Sequence, residues 1–250
     1  MIVYSFDCAV KNLGFCCIEI NEKWKEDLPN IILTVTNMYV GDDTLTIENI
    51  KNVLDNVDKF ISNILVIKYM NIFNLSPNVK QSEWIFSEIV VRLKYLLYCL
   101  EKQLPRPDHV LIEHQMNIND KSRGISKYIE EYYVPIDSES GKIEYALTSY
   151  PLVFTESPKN EKIIQIHNIS PGAKNKYQTD PIKGGYHNFI KDFKKNYDIN
   201  KKHSIYNFVY FVKVFNTLNT LDVTSVKHKL DDVADAFMQC LAWGKSQHLF

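Results

Sequence analysis

The chain has 250 residues, 45% hydrophobic and 24% charged, with a formal net charge of −1. Those values are ordinary for a folded domain with a sizeable core, and the near-neutral balance is not what a nucleic-acid binder advertises. Five cysteines without paired spacing argue against a disulfide framework, and Cys16-Cys17 reads as core. No apolar run approaches the ~20 residues of a membrane helix. Asp7 interrupts the first apolar stretch, so residues 1–7 do not read as a signal peptide. A soluble protein of a reducing compartment, cytosol or nucleus, is expected.

Residues 2–8, 13–20 and 31–40 run apolar or β-branched and predict three strands in an antiparallel meander. Gly14 is expected to ease the first turn. Apolar residues at helical spacing from Ile47 to Leu65 predict a helix over 45–69. A second helix is expected over 82–104, with Ser82 as cap and Pro105 as stop. Its apolar surplus, from Trp84 to Leu100, suits either a buried core helix or a subunit interface. The run 109–115 has little polarity and predicts a parallel strand buried on both faces. Helix 122–133, strand 162–170, helix 201–218 and helix 230–243 complete the chain, with a poorly patterned stretch over 135–158. The alternation predicts an α/β domain with a mixed sheet.

Four acids stand out in this frame. Asp7 closes the first strand, Glu113 closes strand 109–115, and Asp232 and Asp235 lie three apart on the last helix. Singly, each has an ordinary reading: a turn residue, a salt bridge, a helix cap. Jointly they are apolar sequence delivering carboxylates to three element edges, which is costly unless they are paired, protonated or bound to a cation. All-oxygen donors without competing His or thiolate ligands suit Mg²⁺ or Mn²⁺. The pattern points to a metal-dependent phosphodiesterase.

The sequence resembles the RuvC-like Holliday junction resolvases, and most of all the poxvirus and large-DNA-virus type. Ser5-Phe6-Asp7 with Lys11-Asn12-Leu13-Gly14-Phe15, then Leu111-Ile112-Glu113-His114-Gln115, then Lys229-Leu230-Asp231-Asp232-Val233-Ala234-Asp235-Ala236-Phe237 carry the likeness. It implies an RNase H-like five-stranded mixed sheet flanked by helices, one domain over 1–250 with insertions near 45–80 and 134–160. It implies that Asp7, Glu113, Asp232 and Asp235 bind two Mg²⁺ (or Mn²⁺) ions, with Asp231 an extra acid. It also implies a homodimer that nicks four-way DNA junctions symmetrically, at the site of viral DNA replication if the source is viral.

Basic residues in such proteins contact the cleaved phosphate, and Lys174 and Lys202 occupy the resembling places, with Lys227 and Lys229 as alternatives. From Lys174 to Lys202 eight Lys face three Asp, interleaved with aromatics such as Tyr177 and Phe189, a composition suited to a DNA surface. A solvated Lys-rich loop and helix is the plain alternative. His114 is assigned to the core or to support of Glu113. Two other functions stay open on sequence: a nuclease for RNA–DNA hybrids or flaps, and a junction-binding scaffold without turnover.

Overall fold

The protein was analysed as a computed structural model, which describes residues 1–26, 29, 64–114, 120–134, 163–172, 199–214 and 230–249. Five strands form one sheet: β1 (Ile2–Asp7), β2 (Leu13–Ile20), β3 (Leu65–Phe73), β4 (His109–Glu113) and β5 (Gln165–Ile169). Their spatial order is β3-β2-β1-β4-β5. The first three pair antiparallel, whereas β4 and β5 run parallel to β1. An antiparallel meander continued by parallel strands on the far side of a central β1 is the RNase H-like arrangement.

The helices are α1 (Phe86–Gln103), α2 (Asp120–Tyr133), α3 (Ile199–Val214) and α4 (Leu230–Ser246). Strand alternation sends successive side chains to opposite faces. Val3, Cys16, Ile18 and Leu111 pack with α3 and α4, through Phe208, Val233, Phe237 and Leu241. Tyr4, Phe6, Phe15, Val110 and Ile112 pack instead against Ile89, Leu93 and Leu97 of α1 and Ile125 and Ile129 of α2. Because β1 and β4 are covered on both sides, their sequences read as nearly unbroken apolar runs. Among the described residues no helix is long and apolar enough to cross a membrane.

Three sequence expectations need correction. The third strand is Leu65–Phe73, paired antiparallel with β2, so the predicted helix 45–69 is wrong over 65–69, and part of the supposed 45–80 insertion is sheet. The predicted strand 31–40 and the region 135–158 lie outside the described residues. Ser82 does not cap α1: residues Gln81–Glu83 form a separate 3-10 turn, and Ile85 sits at the N-cap without a side-chain hydrogen bond. The Pro105 stop holds, since α1 ends at Gln103 with the Leu104 N–H bonded to the Leu100 carbonyl.

Candidate active site

Asp7 and Glu113 arrive together because their strands are parallel neighbours. The β1–β4 ladder ends at Phe6 against Ile112, so the next residue on each strand is one of the two acids. Alternation puts both on the face of Val3, Ser5 and Leu111, which is the face covered by α4. The two carboxylates are largely buried, with Asp7 9% and Glu113 7% exposed. Cys8 reports their proximity: burial first, then the charge of Asp7, then that of Glu113, push its thiol well above its ordinary pKa.

α4 brings the remaining acids to this edge, and Gly14 sets how close it comes. Gly14 lies opposite Asp7 in the β1–β2 ladder. A Cβ there would sit 2.2 Å from the Asp232 carbonyl oxygen and 3.3 Å from the Asp7 Cβ. The role expected for Gly14 was therefore the wrong one. It does not turn the chain; it lets the first turn of α4 rest directly on β2 beside Asp7. A buried hydrogen bond of 3.0 Å, donated by the Ser5 hydroxyl to Gln239 Oε1, fixes the helix further along the same strand.

Two α3 side chains hold α4 acids. Lys201 Nζ forms an ion pair with Asp231, whose carboxylate is buried while the lysine is about half exposed. Ser204 donates its hydroxyl to Asp235 Oδ1 at 2.5 Å, in a buried setting. Positions 201 and 204 share one face of α3, so Lys201 and Ser204 act as a two-point clamp on the start of α4. Asp232 is half-buried beside Gly14.

Sequence reasoning placed Asp7, Glu113, Asp232 and Asp235 on elements that converge at one sheet edge. It did not identify Lys201, Ser204 or Gln239 as their support. Lys202 is half-buried on α3 next to Lys201, and Lys174, Lys227 and Lys229 lie outside the described residues. His114 is exposed, not core; its backbone N–H bonds the Ile169 carbonyl while its side chain stands in solvent.

In donor chemistry the acids fit a hard divalent cation: carboxylate oxygens, with no imidazole among them. Their spacing is not that of a closed cage. Among the described residues no group of three or more His, Cys, Asp or Glu side chains is positioned to hold a metal.

Residues 192–245, which include α3 and the acids of α4, match the model of the family described as Poxvirus A22 protein. Three solved structures align over nearly the whole chain. The fowlpox virus resolvase in complex with Holliday junction DNA has 16% identity and a TM-score of 0.45, covering 99% of each chain. The fowlpox virus Holliday junction resolvase has 14% identity and a TM-score of 0.43, covering 98% of this chain and 99% of that one. RuvC of Thermus thermophilus has 11% identity and a TM-score of 0.43, covering 99% and 97%. The chain has no significant match among curated protein sequences.

Proposed function

We propose that this chain is a Holliday junction resolvase, a metal-dependent endodeoxyribonuclease that introduces paired symmetric nicks into four-way DNA junctions. The observation that carries the reading is the convergence of Asp7, Glu113 and the α4 acids at one edge of an RNase H-like sheet, in a chain whose α4 segment matches the poxvirus A22 family.

Asp7, Glu113, Asp232 and Asp235 are the proposed ligands of two Mg²⁺ ions, with Mn²⁺ as substitute. Bound there, two such ions supply an activated water and stabilise charge on the leaving oxygen. The protein's part is placement. Strand register sets Asp7 beside Glu113, Gly14 admits α4, and Ser204 orients Asp235. Lys201 neutralises Asp231, which lowers the repulsion among the clustered acids. Lys174 and Lys202 are proposed as contacts to the DNA phosphates. The active unit is a homodimer, because a two-fold symmetric enzyme presents one site to each of two like strands. A viral source would place it where viral DNA replicates.

The test is cleavage of a labelled immobile junction with Mg²⁺, beside linear duplex and RNA–DNA hybrid, by wild type and Asp7→Asn. Paired nicks on the junction alone, reduced by about 10³-fold in Asp7→Asn with binding retained, are expected. Nicking of the hybrid in preference to the junction overturns the substrate. Tight junction binding with no cleavage in Mg²⁺ or Mn²⁺ overturns the enzyme.

A further inference from the structure

The turn between β1 and β2 closes over the candidate site. Residues 8–13 read Cys-Ala-Val-Lys-Asn-Leu, and Lys11 is their one charge. The chain on either side of it is pinned. Cys8, Val10 and Leu13 are 2%, 7% and 0% exposed, packed with Phe6, Phe15 and Leu75 on the α1 side of the sheet. Just beyond β3, the Leu75 N–H donates to the Val10 carbonyl at 2.8 Å. Lys11 itself is exposed. A cation carried by a pinned turn is preorganised, because little backbone freedom is left to lose when it finds a partner.

The strand register bounds its reach. Asp7 and Gly14 are cross-strand partners, and Lys11 lies three residues before Gly14. Consecutive Cα atoms are about 3.8 Å apart, so the Lys11 Cα stands within about 11 Å of the Gly14 Cα. A Cβ at Gly14 would in turn be 3.3 Å from the Asp7 Cβ and 2.2 Å from the Asp232 carbonyl oxygen. The four-carbon stem of a lysine spans about 6 Å more. The ammonium is therefore within range of a DNA backbone laid against Asp7 and Asp232.

Charge gives such a contact a purpose. Asp7, Glu113, Asp231, Asp232 and Asp235 gather at this edge, and Lys201 is engaged with Asp231 from the α3 side. Two divalent ions would neutralise the other acids and leave no net positive charge for a backbone that is negative at every phosphate. Lys11 supplies one from the opposite flank, the β1–β2 side.

We propose that Lys11 is a substrate-positioning residue whose ammonium pairs with a phosphate of the cleaved strand within one nucleotide of the scissile bond. This deepens the proposed function and rests on that reading for the identity of the DNA. The contact is a point charge against one phosphate, so arginine should serve in its place and alanine should not.

Fluorescence anisotropy with a labelled immobile junction and Mg²⁺, in an Asp7→Asn background, reads binding without cleavage. Lys11→Ala should weaken binding about tenfold and flatten the slope of log K against log salt by about 0.9, the share of one phosphate. Lys11→Arg should keep both. Single methylphosphonates at successive positions around the cut then locate the contact. The protein with Lys11 should lose affinity at one of them, and Lys11→Ala should lose nothing further there while matching it elsewhere. Equal salt slopes and equal losses at every methylphosphonate overturn the contact. A Lys11→Ala protein that loses stability in urea with its salt slope intact also overturns it, because the lysine then serves its own chain. A wild type that binds junctions and nicks none overturns the enzyme, while the slope and the methylphosphonate scan still judge Lys11. No junction binding at all overturns both.

Discussion

Gly14→Ala is the sharpest perturbation of the arrangement at the candidate site. The added methyl carbon would stand 2.2 Å from the Asp232 carbonyl oxygen and 2.8 Å from its carbonyl carbon. A relaxed carbon–oxygen contact is about 3.2 Å, so something must retreat by about 1 Å. The obstructing atoms are main chain in the first turn of α4, which no rotamer change moves. Either α4 lifts away from β2 at its N-terminus, or β2 buckles beneath it. Overpacking of this kind costs about 1–3 kcal/mol. A displacement of that size at the acids should cost about 10²-fold in the rate of nicking.

Gly124→Ala is the matched control. Its Cβ would also be too close to a neighbour, 2.3 Å from Phe86 Cζ, but that atom is the tip of a side chain 38% exposed. The ring can swing outward, and alanine in a helix gains about 1 kcal/mol over glycine. Urea unfolding and single-turnover junction cleavage on both variants supply the comparison. Gly14→Ala should lose stability and activity together, and Gly124→Ala should lose neither by much. A Gly14→Ala protein as stable as wild type and within threefold of its nicking rate would refute the claim that Gly14 sets the approach of α4.

Removal of Lys201 leaves the buried Asp231 carboxylate without its cation, and because the lysine is about half exposed the cost should be moderate, about 1–2 kcal/mol in urea. A double-mutant cycle of Lys201→Ala with Asp231→Asn should show coupling of about 1 kcal/mol; additive effects would remove the clamp from the account. Ser204→Ala should raise the Mg²⁺ concentration needed for half-maximal nicking while junction binding stays unchanged, since it frees a carboxylate whose orientation it now sets. On the same face of the sheet, His109 Nδ1 and His167 Nε2 lie 3.1 Å apart beneath Trp243, and burial lowers the His167 pKa below its ordinary 6.5. The unfolded chain takes up that proton first, so the histidine's contribution to stability is whole above about pH 6.5 and is lost as pH falls toward the folded value. Wild-type minus His167→Gln urea midpoints should therefore decline as pH falls through and below 6.5, and a flat difference contradicts the burial argument.

The strands that carry Asp7 and Glu113 were legible because their burial on both faces leaves an apolar run with one acid at its end. β3 was misread because two periods overlap there. Ile61, Ile64 and Leu65 continue a helical spacing, while Leu65 and Ile67 buried against Val66 and Lys68 outside follow the two-residue period of a strand. Pairing with β2 decided the outcome, and that long-range contact has no local signature. Gly14 shows a similar ambiguity: a glycine within a strand allows a bend or a close neighbour, and only the position of Asp232 distinguishes them.

The acids and the groups that support them differ in how much they disturb their own sequence. A carboxylate at the end of a buried strand is expensive to desolvate, so it stands out against the residues around it. Lys201 costs little on a partly solvated helix and reads like any surface lysine, and Ser204, though buried, reads like any helix serine. Their roles follow from which face of α3 meets α4, and this depends on the packing of Phe208 against Phe237, ring centroids 5.5 Å apart. The same packing turns Lys201 toward Asp231, whereas Lys202, expected from the sequence to contact a phosphate, stands one residue and about 100° around the helix. A lysine that neutralises a buried acid is therefore found from the acid outward, by asking which neighbouring helix face must cover it.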